Sequence, residues 1–103
     1  MTLSSKERAE LRAEAHHLTP LVHVGHQGLT DALFQTLDDA LRTRELVKVK
    51  LGNKDDVKPK DAANALALAT NAAVVQVIGK TATLFRENPH LVKKHGELPP
   101  WRR

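Results

Sequence analysis

The segment that most constrains the fold is residues 21–30, with the sequence LVHVGHQGLT. Its first four residues are typical of a strand, two glycines follow three positions apart, and Thr30 suits the N-cap of a helix. This order brings backbone N–H groups and the positive end of a helix dipole to a loop that a ligand can approach closely. Such a loop is a candidate phosphate site. Taken alone, the spacing favours a plain turn, for which the freedom of glycine at positive φ suffices.

On either side of this segment, the chain alternates between helical and strand patterns. Apolar spacing and capping signals predict helices over residues 6–16, 30–41 and 61–72. Strand-type runs occupy residues 21–24, 46–51, 73–78 and 81–86, and Gly79-Lys80 predicts a hairpin between the last two. The expected order is therefore α-β-α-β-α-β-β, a mixed α/β (α+β) layered fold in a single compact domain.

Two finer expectations concern packing in the second half of the chain. In the third helix, a stripe of small side chains is predicted to lie against the sheet: Ala62, Ala65, Leu66 and Ala69. The run 73–78 is nearly all apolar, which is typical of a strand covered on both faces. Periodicity alone does not give the order of the strands.

Charge is distributed unevenly along the chain. Residues 1–41 contain three Lys/Arg and six Asp/Glu, whereas residues 42–103 contain thirteen and six, within a net charge of +4. In residues 46–51, Lys48 and Lys50 alternate with apolar residues, so one face of that strand should meet the core and the other should be cationic. A basic half favours an anionic partner such as nucleic acid, the alternative being a solvated surface.

Composition and motif spacing argue against several other classes. The chain contains no cysteine, which excludes disulfides and thiolate chemistry, and no apolar run approaches the ~20 residues of a membrane span. Gly79-Lys80-Thr81 resembles the end of a P-loop, but residue 74 is valine and a strand pattern follows. The expectation is a soluble, cytoplasmic protein.

No catalytic or metal-binding constellation can be assembled. The sequence places four histidines near one another without a recognisable ligand spacing: His16, His17, His23 and His26. Its adjacent aspartates fall in a predicted loop and on a helix surface, and no nucleophile, base and orienting group come together. We expect no enzymatic activity, no cofactor, no metal and no small-molecule substrate.

Three separated blocks resemble, in register, the signature of a known family. They are residues 21–30, residues 45–50, and residues 75–81 continued by 84–86. They look like the blocks of the CRM domain, specifically its bacterial stand-alone form, the YhbY family, over about residues 3–87.

The resemblance implies a fold similar to the C-terminal domain of translation initiation factor three, with a mixed four-stranded sheet, three helices and a KH-like loop. It also implies RNA binding, which bacterial members direct to precursors of the large (50S) ribosomal subunit. The binding loop corresponds to Gly25, His26, Gln27 and Gly28, with His26 and Gln27 where the family often has lysine or arginine. The expected division is an RNA-binding domain over residues 1–87 and a basic, flexible tail over residues 88–103.

The expected mechanism depends on the RNA backbone. The glycines let a phosphate approach the start of the helix, and cationic contacts come from residues whose strand ends converge: Lys48, Lys50, Lys80 and Arg86. The aromatic residues are Phe34, Phe85 and Trp101. Packing is favoured for Phe34 and Phe85, with stacking on a base as the alternative for Phe85, while Trp101 in the tail suits either role. We therefore expect recognition of RNA shape and phosphate rather than base stacking.

Two functions of different classes follow. The first is a ribosome assembly factor that binds precursor large-subunit ribosomal RNA or pre-50S particles without chemistry. The second is a protein-interaction adaptor whose acidic helices, residues 5–16 and 30–41, contact a basic partner such as a ribosomal protein. Replacing Lys48 and Lys50 by glutamate should abolish RNA binding under the first and leave partner capture unchanged under the second.

Overall fold

A computed structural model describes residues 3–52, 57–88 and 90 of the chain. Its helices are α1 (Ser5–Ala15), α2 (Asp31–Arg44) and α3 (Pro59–Thr70), and its strands are β1 (Val22–His23), β2 (Leu46–Lys50), β3 (Ala73–Ile78) and β4 (Thr81–Phe85). The predicted order α-β-α-β-α-β-β is confirmed. Most of the predicted C-terminal tail, including Trp101, lies outside the described residues.

The four strands form one mixed sheet in the order β1-β2-β4-β3. β1 and β2 are parallel, whereas β4 is antiparallel to both of its neighbours, β2 and β3. β1, β2 and β3 therefore all end at the same end of the sheet, where β4 begins. Four residues align in a row across that end, which we call the loop end: His23, Lys50, Thr81 and Ile78.

Side-chain caps and a proline mark where the three helices begin, and Thr30 takes the N-cap position predicted for it. The Ser4 side chain accepts a hydrogen bond from the Glu7 amide, and the Glu7 carboxylate accepts one from the Ser4 amide. The donor–acceptor distance is 3.0 Å in each bond. Thr30 caps α2 by accepting a bond from the Leu33 amide, with 3.1 Å between the atoms. Pro59 stands at the start of α3, where its missing N–H costs nothing. Local sequence therefore determines where all three helices begin.

Helices cover both faces of the sheet. Alternation along β2 directs Val47 and Val49 into the main core, which α2 and α3 complete with Leu37, Leu41 and Leu66. The opposite face is covered by α1, which forms a second cluster of Leu11, Ala15, Leu46, Val75 and Phe85. Phe85 therefore packs beneath α1, and Phe34 packs against the main core, as the sequence indicated.

The predicted stripe on α3 is wrong by part of a turn. The buried residues are Ala62, Ala63, Leu66, Ala67 and Thr70, whereas Ala65 is half-buried and Ala69 is exposed. Alanine occurs on almost every side of this helix, so the periodicity could not select the face that packs. Packing against the sheet and α2 determines which face of α3 is buried.

The expectation that both faces of the 73–78 strand are covered holds only in part. β3 is an edge strand, and its last residue, Ile78, is 64% exposed. Val74 and Val77 pack against the main core and Val75 packs in the cluster beneath α1, with a register shift between Val74 and Gln76. The bulge therefore places Val74 and Val77, three positions apart, on the same face of the sheet, which a strict alternation does not anticipate.

Candidate nucleic-acid interface

The Gly25–Gly28 loop is a tight, exposed turn at the loop end of the sheet. The Gly28 amide donates to the Gly25 carbonyl over 3.0 Å, and Gly28 has a φ of 75°. This left-handed conformation favours glycine because it carries no Cβ. A Cβ built on Gly25 would have no heavy atom within 4 Å, and the side chains of His26 and Gln27 are exposed. The turn itself therefore requires glycine at position 28, whereas position 25 leaves open space.

Backbone contacts tie this loop to the end of β2, and the end of β2 to the β3–β4 turn. The Val24 amide donates to the Lys50 carbonyl over 2.9 Å, and the Leu51 amide donates to the Lys80 carbonyl over 2.6 Å. The chain after β2 also passes very close to the loop, because a Cβ built on Gly52 would lie 3.3 Å from the Val24 carbonyl oxygen. The loop, the end of β2 and the β3–β4 turn thus form one surface.

Two helices start at this end of the sheet. α2 follows the glycine loop and α3 follows the connection from β2, so both direct their N-terminal N–H groups here. Thr30 caps α2, but the residue in the same position of α3, Lys58, makes no capping hydrogen bond with its side chain. The backbone therefore contributes positive potential from two helix ends.

Lysine side chains add to that potential. Lys50, Lys58, Lys60 and Lys80 are all exposed at the loop end, while Asp31 and Asp61 occupy the first turns of the helices. Several lysines beside a glycine loop can bind a ligand that carries a row of negative charges, such as a polyanionic chain.

A cleft of about 250 Å³ opens between the loop and the start of α3. It is lined by Val24, Gly25, Gly28, Leu29, Leu51, Gly52, Val57, Lys58, Pro59, Ala62 and Lys80. The apolar side chains form its walls, and the cleft connects directly with the glycine loop.

Most of the residues selected from the sequence meet at this surface. The loop residues Gly25 to Gly28 adjoin Lys80 through the cleft, and Lys50 ends the strand beside them. Lys48 is on the same face of β2 but is half-buried, because its Nζ donates to the Leu18 carbonyl over 3.2 Å. The face of β2 that was predicted to be cationic is thus covered in part by α1 and the segment after it, and Lys50 is its exposed lysine.

The structure does not bring Arg86 to this surface. Arg86 follows β4 at the opposite end of the sheet, where its Nη1 contacts Asp38 Oδ1 at 2.6 Å and the Thr70 carbonyl at 2.7 Å. Its Nη2 donates to the Asp38 carbonyl over 3.1 Å. The guanidinium therefore joins the middle of α2 to the last turn of α3, and the expected convergence with Lys50 and Lys80 is not met.

Sequence reasoning missed several features of the loop end. Lys58, Lys60 and Gly52 were not singled out from the sequence, and neither was the apolar cleft that Lys58 and Gly52 help to line. The sequence does contain a clue to these features. Where neighbouring parallel strands are each followed by a helix, the loops that follow them meet at the carboxyl ends of the strands, and ligands commonly bind there. Applying that rule required knowledge that β1 and β2 are neighbours.

Two other kinds of feature are absent from the described ranges. In residues 3–52, 57–88 and 90, no three His, Asp or Glu residues are grouped so that they could hold a metal ion. Among the helices of the same ranges, none is long and apolar enough to cross a membrane.

The fold and this surface define a class of small α+β proteins that present a glycine loop and lysines at one end of a mixed sheet. Comparison with known proteins gives the family. Residues 3–86 match the CRS1 / YhbY (CRM) domain, and the chain belongs to this family.

Two bacterial relatives match this chain over most of their own length. A Bacillus subtilis (strain 168) protein named "Probable RNA-binding protein YqeI" is 37% identical over 97 residues, covering 94% of this chain and 99% of that protein. A Haemophilus influenzae protein named "RNA-binding protein" is 40% identical over 85 residues, covering 82% of this chain and 86% of the other.

A solved structure has the same fold. The solution structure of SAV1595 from Staphylococcus aureus, described as a candidate RNA-binding protein, superposes with a TM-score of 0.72 at 36% identity. The match covers 84% of this chain and 91% of that protein. The α+β architecture with three helices and a four-stranded mixed sheet is thus shared with a structurally characterised relative.

Proposed function

We propose that this protein binds RNA through the loop end of its sheet. The observation that carries the proposal is the convergence of the exposed Gly25–Gly28 turn with Lys50, Lys58 and Lys80. Membership of the CRM family and the names of its relatives support RNA as the anionic ligand.

The glycine loop and the lysines perform different tasks. Because Gly25 leaves open space, a phosphate can come close to the backbone there, near the start of α2. The lysines then neutralise neighbouring phosphates and release counterions, which makes the affinity fall steeply with salt. Contacts of this kind hold RNA and catalyse nothing.

The RNA that we propose is the precursor of large-subunit ribosomal RNA, with the protein acting in the cytoplasm as an assembly factor on pre-50S particles. The resemblance to bacterial YhbY proteins supports this choice. The domain over residues 1–87 is proposed to suffice for binding, and the basic tail to add a weak electrostatic contribution.

The first experiment is ultraviolet cross-linking in cells, followed by purification of the protein and sequencing of the attached RNA. Gly25→Asp should lose the cross-links because the carboxylate repels phosphate, whereas Gly25→Asn is the matched neutral variant and should retain part of them. Position 25 is suited to both variants because a Cβ there meets no neighbour. Reads concentrated in precursor large-subunit RNA support the whole proposal.

Recovery of ribosomal or other proteins with no RNA above background would instead favour the adaptor that contacts a basic partner through acidic helices. Reads dominated by other RNAs would retain RNA binding and overturn the ribosomal assignment.

The salt dependence of binding tests the contribution of single lysines. The slope of log K against log[salt] is negative, and Lys50→Gln should make it less steep by ~0.7–0.9, the contribution of about one phosphate contact. Arg44→Gln is the control, because it removes one exposed charge from the last turn of α2, away from the loop end. Equal slopes for both variants would place the RNA elsewhere. Lys48 is unsuitable for this test because its ammonium also bonds to Leu18.

A further inference from the structure

Phosphate contacts alone do not account for the cleft beside the glycine loop. Its walls are aliphatic, formed mainly by Val24, Leu29, Leu51 and Val57. Val57 is 42% exposed, so an apolar side chain stands open to solvent at the mouth of the cleft. A site that bound phosphate only would gain nothing from such walls.

The size of the cleft limits its occupant. Its volume of about 250 Å³ exceeds the ~150 Å³ of a cavity that accepts benzene. It lies just below the ~300–1,000 Å³ range of pockets for drug-sized ligands. The cleft therefore has room for one flat heterocycle of the size of a nucleobase.

The charges at the rim limit the occupant further. Lys58 and Lys80 border the cleft, and Gly25 and Gly28 connect it with the phosphate-binding turn. The ligand should therefore combine a flat apolar group with an attached anion, which is the chemistry of a nucleotide. The walls present mostly carbon atoms, so they favour burial of a base over discrimination among the four bases.

We propose that the cleft holds the base of one unpaired nucleotide of the bound RNA, while the adjoining phosphate lies on the backbone of the Gly25–Gly28 loop. This inference rests on the proposed RNA binding and adds to it a preference for a bulged or looped nucleotide. Insertion into aliphatic walls also explains how a surface without aromatic side chains among its lining residues can engage a base.

Binding of three RNAs measured by fluorescence anisotropy tests the inference. The first is a hairpin with a single-nucleotide bulge, the second has an abasic residue at the bulge, and the third is fully paired. The bulged RNA should bind roughly tenfold more tightly than the abasic one, as expected for burial of one base. The charge of the RNA is the same in these two ligands, so their ratio isolates the base.

A matched pair of variants links that ratio to the cleft. Val57→Ser removes an apolar wall and should bring the ratio of bulged to abasic affinity toward one. Leu68→Ser makes a similar change on α3 at a residue that is 86% exposed and absent from the cleft lining, and it should keep the ratio. If the ratio of bulged to abasic affinity falls to one in both variants, or in neither of them, the assignment of the base to the cleft is overturned.

The two proposals fail in different ways. Equal affinity for the three RNAs would overturn the base site and leave RNA binding intact. Absence of binding to all three, in protein whose fold is verified by circular dichroism, would overturn both proposals.

Discussion

Replacing Arg86 by alanine should destabilise the protein and leave its affinity for RNA unchanged. Sequence reasoning placed this arginine among the RNA contacts, whereas the structure places it between α2 and α3, away from the loop end. The guanidinium contacts Asp38 Oδ1, the Asp38 carbonyl and the Thr70 carbonyl at 2.6–3.1 Å. Because Thr70 is the last residue of α3, the positive charge also offsets the negative end of that helix dipole.

The size of the effect follows from burial. The Arg86 side chain is 21% exposed and Asp38 is 38% exposed, so the pair is screened only in part. Hydrogen bonds to charged groups contribute ~1.5–3 kcal/mol each when buried, and solvent-exposed ion pairs less than ~1 kcal/mol. We expect a loss of about 2–3 kcal/mol in the free energy of unfolding. For a domain of this size that lowers Tm by roughly 10–20 °C.

The assay is chemical denaturation followed by circular dichroism, with RNA binding measured by anisotropy well below the lower Tm. Arg42→Ala is the matched control, since Arg42 forms an ion pair with Asp39 in which the side chains are 59% and 51% exposed. That variant should lose less than ~1 kcal/mol.

Two results would refute the reasoning. If Arg86→Ala is no less stable than Arg42→Ala, the contacts to α2 and α3 contribute little. If the folded Arg86→Ala protein loses RNA affinity, the interface extends to the end of the sheet opposite the loop.

Three further outcomes test the packing and the turns. Leu66→Ala should cost about 2–5 kcal/mol because Leu66 is fully buried, whereas Leu68→Ala should stay within ~0.5 kcal/mol; denaturation curves that rank them the other way would reverse the assigned face of α3. Gly28→Ala should cost about 1–2 kcal/mol, also by denaturation, since an L-residue at a φ of 75° is strained. Hydrogen bonds from Ser4 lower the pKa of Glu7 below 4.5, so this contribution to stability is present above that value and is lost as the pH falls through the lowered pKa. In Ser4→Ala, NMR titration should find the pKa of Glu7 only part of the way back toward 4.5, because the hydroxyl is removed while the backbone amide of residue 4, the larger cause of the shift, still donates to the carboxylate. An unchanged pKa would mean that the Ser4 hydroxyl contributes nothing to it.

Local sequence determined where the elements begin and what kind they are. The capping box at Ser4, the cap at Thr30 and Pro59 at the start of α3 act within a few residues of chain, so they can be read without a fold. The same holds for the glycine turn, which Gly28 closes through a bond to Gly25.

The buried environment of Glu45 shows what local reasoning cannot supply. Glu45 ends α2 with a φ of 64° and is only 1% exposed. Its carboxylate accepts a hydrogen bond from the Asn88 amide over 2.6 Å, and its carbonyl accepts one from the Arg86 amide over 2.9 Å. These partners lie more than forty positions away in the chain, so nothing near Glu45 in the sequence indicates that the residue is buried.

By itself the sequence determined the order of elements, the glycine loop and the family resemblance, because each depends on residues close together or on blocks in register. Tertiary structure alone decided which lysines share a surface. The sheet order β1-β2-β4-β3 brings the ends of β1 and β2 and the β3–β4 turn together with the start of α3, and it leaves Arg86 at the other end. Strand pairing joins segments distant in sequence, and the side chains that meet at a sheet end are known only once that pairing is known.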